Sequence, residues 1–153
     1  MKRVVIGMGN PFRRDDGAGL EVARRLRLLS LRDVSVLEHG GEPAGLLDAW
    51  SGAGEVYVID SVRGAEPGTV HHLRMSSQEP LAITHESGST HTLGLGEAVE
   101  LARALELLPP MLNVIGIEGS DFSTGEGVSP AVERAAIEVA DELARRLAAE
   151  VGR

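Results

Sequence analysis

The sequence predicts an α/β protein with helices on both faces of a mostly parallel, five-stranded sheet. Three observations carry that expectation. Short β-branched runs alternate with segments of helical period, the pattern of βαβ units. Two of the runs, Val4-Val5-Ile6 and Val56-Tyr57-Val58-Ile59, are apolar at every position, as strands covered on both faces are. Aromatics make up only 3% of the residues, so the core is built from Val, Leu, Ile and Ala.

The elements follow in order. The first run ends at Gly7 and reads as a buried strand. After a loop over residues 7–17, Leu20, Val22, Ala23, Leu26 and Leu29 recur at helical spacing, with Glu21, Arg24, Arg25 and Arg27 on the opposite, solvated face. Val34-Ser35-Val36-Leu37 is a second strand, stopped by Gly40-Gly41. A helix starts near Pro43, a favoured first-turn residue, and turns Leu46, Leu47 and Trp50 inward. The third strand runs straight into Asp60. Residues 69–73 form a fourth strand, antiparallel because its link to the third is short. Residues 75–90 are polar and carry no period, which predicts a loop. A helix is expected from residue 92 to residue 107, before Pro109-Pro110, then a fifth strand over residues 112–117. The last helix opens with Ser129 as N-cap and Pro130 in its first turn, and continues to about Ala149.

The bulk numbers narrow the function. A chain of 153 residues fits one domain, residues 1–153, and buries roughly 70% of its unfolded surface. A net charge of −8 argues against a nucleic acid or an anionic membrane as partner, since both require a positive surface. With no cysteine, disulfides, thiolate metal sites and a cysteine nucleophile are excluded. There is no apolar run of the roughly 20 residues that span a bilayer, and the first residues are too short for a signal peptide. A cytoplasmic, monomeric protein is expected.

In open α/β sheets ligands bind outside the carboxyl ends of the strands, which directs attention to the loops there. Gly7-Met8-Gly9-Asn10 suggests a dinucleotide loop, with Glu38 in the place of a ribose-binding acid. The third glycine of that fingerprint is missing, because its position is Phe12, and Asp15 and Asp16 would face a pyrophosphate. In Asp15-Asp16-Gly17 one acid serves as a cap, leaving the other for a ligand. Asp60 lies just past another buried strand. If the two strands are neighbours, about 4.8 Å apart, Asp16 and Asp60 meet, which is costly unless a cation or a proton lies between them. Of five histidines, His71 and His72 are consecutive in a strand and point to opposite faces at the surface, and His39 caps the second strand. His85 and His91 lie in or beside the polar loop. His91 stands where a helix begins and can reach the same edge. Two carboxylates and an imidazole suit a borderline divalent ion such as nickel or zinc.

Taken together, Val5-Ile6-Gly7-Met8-Gly9-Asn10-Pro11 with Asp15-Asp16-Gly17-Ala18-Gly19, then Val58-Ile59-Asp60, then Ser89-Thr90-His91, resemble the nickel–iron hydrogenase maturation endopeptidases. Gly40-Gly41 and the Ser129-Pro130 helix start fit the same resemblance, which covers essentially the whole chain. It implies a three-layer α/β/α sandwich. It also implies an endopeptidase that removes a C-terminal extension from the hydrogenase large-subunit precursor after nickel is loaded into it. The family's metal-contacting and catalytic positions fall on Asp16, Asp60 and His91; the first is Glu in some relatives and Asp in others. The nickel is presented by the substrate, and the isolated protein would take another divalent metal there. Two departures stand out. Glu42 replaces the Thr of a common Gly-Thr pair, which bears on substrate choice, and Ile115-Gly116-Ile117-Glu118 differs from the usual wording. Ser61 and Ser89 lack a triad of the usual order, so no covalent acyl-enzyme is expected. The rival expectations are a non-proteolytic nickel accessory protein, another metal-dependent hydrolase on this fold, and a dinucleotide-binding module.

Overall fold

The structure is a computed structural model and describes residues 2–76 and 95–151. Along the chain these form β1 (Arg3–Met8), a 3-10 turn (Arg14–Gly17), α1 (Ala18–Leu28), β2 (Val34–His39), α2 (Pro43–Trp50), β3 (Glu55–Arg63) and β4 (Val70–Ser76). After residues 77–94 come α3 (Gly96–Ala104), β5 (Met111–Gly119) and α4 (Pro130–Val151). The strands make a five-stranded sheet in the order β2-β1-β3-β5-β4. All pairings are parallel except that of the edge strand β4, which runs antiparallel to β5.

The strand order explains the burial. β1 has neighbours on both sides and helices over both faces, so Val4, Val5 and Ile6 are fully buried. On one face Val4, Ile6, Val56, Val58, Leu112 and Val114 pack under α2 and α3 through Leu46, Trp50, Ala98 and Ala102. On the other, Val5, Tyr57, Ile59, Ile115 and Ile117 pack under α1 and α4 through Val22, Leu26, Val132, Ala136 and Leu143. These are the three layers expected from the sequence. β2, at the edge, alternates partly buried and exposed residues over much of its length.

Several boundaries differ from the expectation, each for a visible reason. The short link after β3 does not close a hairpin. It carries the chain past the slot that β5 fills, so β4 pairs with β5 and does not touch β3 in the ladder. β4 also extends to Ser76, because Met75, opposite Leu112, is fully buried between polar neighbours that hide it in the sequence. The rest of the predicted loop, and the predicted start of the third helix, lie outside the described residues. That helix ends at Ala104, short of residue 107. Glu106 takes a left-handed φ of 58°, and the Leu107 amide donates back to the Ala102 carbonyl at 2.7 Å, a helix-ending turn. Leu105 and Leu107 are therefore exposed, as is Leu29 just past α1.

One packing feature sets the position of the site. A Cβ on Gly7 would lie 2.2 Å from the Gly19 carbonyl oxygen. One on Gly19 would lie 2.2 Å from the Ile59 carbonyl oxygen and 2.6 Å from that of Met8. Only glycine permits this approach, so the first turn of α1 is seated directly on the carboxyl ends of β1 and β3. Here the chain's connections diverge, from β1 to β2 on one side and from β2 over to β3 on the other. Such a switch point is where open α/β sheets leave a crevice.

Candidate functional site

Residues 10–17 fold over that crevice as a compact hook. The Asn10 side chain accepts from the Phe12 amide at 2.9 Å, the Arg13 amide donates to the Asn10 carbonyl, and the Asp16 amide donates to the Arg13 carbonyl. Gly9, at φ 149°, is pressed against the Asp16 backbone, where a Cβ would meet the carbonyl oxygen at 1.9 Å. The glycine turn is thus closed tightly against the hook. Glu38, the candidate ribose acid, is engaged within the fold: its carboxylate pairs with Arg24 at 3.3 Å and Arg27 at 2.8 Å, tying α1 to β2. These arginines hold its pKa below the ordinary range although burial pushes it up.

The adjacent acids divide their work. Asp15 is fully buried and accepts from the Ser120 and Asp121 amides (3.0 Å each), the Ser129 amide (2.7 Å) and the Ser129 hydroxyl (2.7 and 2.8 Å). Burial pushes its pKa up, but the donors from Ser129, Asp121 and Ser120 outweigh it and hold the carboxylate below its usual range. The helix cap expected from this pair is not formed, since neither the 3-10 turn nor α1 has a side-chain cap hydrogen bond, and Asp15 works elsewhere. It fastens the β5–α4 connection to the hook. Ser129 therefore spends its hydroxyl on Asp15 instead of on the N-terminal amides of α4.

Asp16 faces β3. One carboxylate oxygen accepts the Asn10 amide at 3.0 Å, and the other accepts the Ser61 hydroxyl at 3.0 Å. Asp60, at the carboxyl end of β3, is 7% exposed and accepts the Ser61 amide at 2.8 Å. Ser61 therefore stands between the two carboxylates, bound to one through its hydroxyl and to the other through its backbone. Burial pushes the Asp60 carboxyl up to about 8; the Ser61 amide works against this, and the Asp16 charge adds to it. A buried carboxyl beside a second carboxylate lacks a positive charge that a proton or a cation supplies.

Among the sequence candidates, the structure thus brings Asp16 and Asp60 to opposite sides of one residue. His91, with His85, lies outside the described residues. Among those described, no three His, Cys, Asp or Glu side chains gather into a metal-binding group. Of the other histidines, His72 is exposed and two have local duties. His39 accepts the Gly41 amide at 2.8 Å and so caps its own turn, while exposed His71 pairs with Glu118 at 2.7 Å across β4 and β5. The Gly40-Gly41-Glu42 turn follows β2 at the same edge, joined to β1 by the Gly9 amide donating to the His39 carbonyl. The sequence suggests for Ser61 only the part of a nucleophile. Its proton is engaged by Asp16, and no described histidine contacts it. Its bridging position had no sequence signal beyond its place next to Asp60, because it depends on which loop crosses over β3.

Among the described residues no helix is long and apolar enough to cross a membrane. Comparison with known proteins places the chain. Residues 20–146 match the family model described as hydrogenase maturation protease, a span that begins just past Asp16 and includes Asp60. The chain is 27% identical over 137 residues to the hydrogenase 2 maturation protease of Escherichia coli, covering 87% of this chain and 82% of that one. In structure it is similar to the NiFe hydrogenase maturation protease HybD from Thermococcus kodakarensis, with a TM-score of 0.76, 28% identity, and coverage of 97% of this chain and 99% of the other. The hydrogenase maturating endopeptidase HybD from Escherichia coli superposes with a TM-score of 0.75 at 23% identity, over 94% and 90% of the two chains. The chain belongs to the hydrogenase maturation protease family.

Proposed function

We propose that this protein is an endopeptidase that removes the C-terminal extension of the nickel-loaded large-subunit precursor of a nickel–iron hydrogenase. Asp16, Asp60 and His91 contact the nickel that the substrate presents. The observation that carries the reading is the pair of carboxylates joined through Ser61 at the switch point of the sheet, in a chain of this family. The donor set fits a divalent cation held in part by other ligands. Two oxygen donors are preset, one of them in a carboxyl that burial keeps protonated, so an arriving cation takes the place of that proton. An imidazole from residue 91 would complete a mixed oxygen–nitrogen set of the kind borderline metals accept.

Ser61 has a defined part in this scheme. It holds Asp16 in one orientation before substrate arrives, so less ordering is left to binding. With the metal fixed against the two acids, the neighbouring peptide bond is held in one place for attack by water, and proximity supplies much of the rate. Ser61 itself does not attack, because its hydroxyl is spent on orienting a carboxylate and no described histidine contacts it.

The test is direct. Purified protein is incubated with nickel-loaded and nickel-free precursor, and the products are weighed by mass spectrometry. Shortening of the loaded form alone is expected, and Asp60→Asn and His91→Ala are expected to abolish it. Intact precursor after incubation with the wild-type chain refutes the reading, and unimpaired cleavage by His91→Ala removes that residue from the site.

A further inference from the structure

The carboxyl edge of β3 carries a cation that neither the fold nor the two acids use. Arg63 is exposed, and its guanidinium lies over the ring of half-buried Phe122, 4.4 Å from the centroid. Phe122 is in turn set by the close packing at Gly119, where a Cβ would meet its ring at 3.2 Å. Stacking of this kind fixes the plane of the guanidinium and leaves its N–H edge free.

Three carboxylates of the adjoining segments are engaged elsewhere. Glu118, which crowds the adjacent Gly64, pairs with His71 at 2.7 Å and accepts the Glu66 amide. Asp121 accepts the Ser123 hydroxyl at 2.6 Å and faces Arg14 at 3.7 Å. Asp15 is taken up by four donors, the Ser120, Asp121 and Ser129 amides and the Ser129 hydroxyl. Among the described residues Arg63 therefore keeps a preset donor edge with no carboxylate partner, in a chain of net charge −8. Its position is also specific. Arg63 follows Ser61 by two residues on the same strand, so it shares the face from which Ser61 reaches Asp16, about 7 Å further out along β3.

We propose that Arg63, held flat on Phe122, is a specificity-determining residue that takes a side-chain carboxylate of the substrate polypeptide two or three residues from the scissile bond. The spacing follows from the strand. An extended chain advances about 3.3–3.6 Å per residue, so a bond held at Asp16 and Asp60 puts such a carboxylate within reach of the guanidinium fork. This inference rests on the protease reading above and adds the chemistry by which that site selects its substrate.

The experiment uses nickel-loaded large-subunit precursor and a series in which each Asp or Glu within about four residues of the cleaved bond is changed to its amide. Arg63→Ala is expected to raise KM by about tenfold to a hundredfold and to leave kcat within about twofold, since the contact forms on binding and is not made in the chemical step. One amide precursor should show the same KM loss with the wild-type enzyme and no further loss with Arg63→Ala. Arg63→Glu should recover cleavage of a precursor carrying Lys at that position. Arg63→Lys, which keeps the charge without the fork, should fall between wild type and Arg63→Ala, and it serves in place of the alanine variant should that not fold. If the wild-type chain cuts loaded precursor and Arg63→Ala does so with unchanged KM, or if the two losses add in full, this inference is overturned and the protease reading stands. A wild-type chain that cuts nothing overturns the protease reading, and this inference with it.

Discussion

Replacing Asp60 by Asn should stabilise the metal-free protein, and the gain should depend on pH. Burial and the Asp16 charge raise the Asp60 carboxyl from an ordinary 3.8 to about 8 in the folded chain. The folded state therefore holds a proton that the unfolded chain has released at every pH between those values. Below about pH 4 both states are protonated and the site carries no penalty. As pH rises the unfolded state gains by ionising while the folded state cannot, so stability falls, and it levels off once Asp60 ionises above about pH 8. At about 1.4 kcal/mol per pH unit, the full shift sets an upper bound of about 6 kcal/mol. The carboxyl is 7% exposed and relaxes toward water as it ionises, which makes about 2–4 kcal/mol the working expectation. Asn has the same shape and carries no charge, so it removes this penalty. Thermal unfolding of wild type and Asp60→Asn with metal removed, at intervals from pH 4.5 to 9, reads the difference. The two should differ by about 1 kcal/mol or less near pH 4.5 and separate toward pH 8, by about 4–16 °C in Tm. A difference that does not change with pH, or wild type the more stable at pH 8, would refute the electrostatic account of the site.

Other consequences test separate contacts. Ser61→Ala removes the donor to Asp16, and is expected to cost about 1 kcal/mol of stability but to lower kcat for precursor processing at least tenfold, measured in parallel by denaturation and mass spectrometry. Asp15→Asn leaves the hook and the β5–α4 connection poorly joined, with an expected loss of about 3 kcal/mol at pH 7. Because the Asp15 pKa is lowered on folding, its contribution is present above about pH 4 and lost as pH falls through the folded value, so the variant should show a flatter acid limb in a stability–pH profile. Gly19→Ala drives a methyl into the Ile59 and Met8 carbonyls and should destabilise by about 3 kcal/mol, seen as a lower denaturation midpoint with an unchanged slope.

The architecture was legible from the sequence because burial leaves its mark residue by residue. Val4-Val5-Ile6 and Val56-Tyr57-Val58-Ile59 are apolar throughout because both sheet faces are covered, and the helical spacing of Leu20, Val22, Ala23 and Leu26 names the side of α1 that meets the sheet. These signals are local. The two acids were legible in a weaker sense, as polar residues placed directly after buried strands, and the glycines around them gave the family resemblance.

What only the tertiary structure decided concerns residues distant along the chain. β5 separates β4 from β3 because pairing partners are chosen by the whole sheet and not by the length of one link. Asp15 and Asp16 are chemically the same and adjacent, yet one is buried under Ser120, Asp121 and Ser129 while the other faces Ser61, and nothing within residues 10–17 distinguishes them. Ser61 became the link between two carboxylates through the contact of Gly19 with Ile59 and Met8, which places α1 and its hook against β3. Periodicity and burial are written in neighbouring residues. The partner of a hydrogen bond is set by packing across the fold, and a linear pattern carries no record of it.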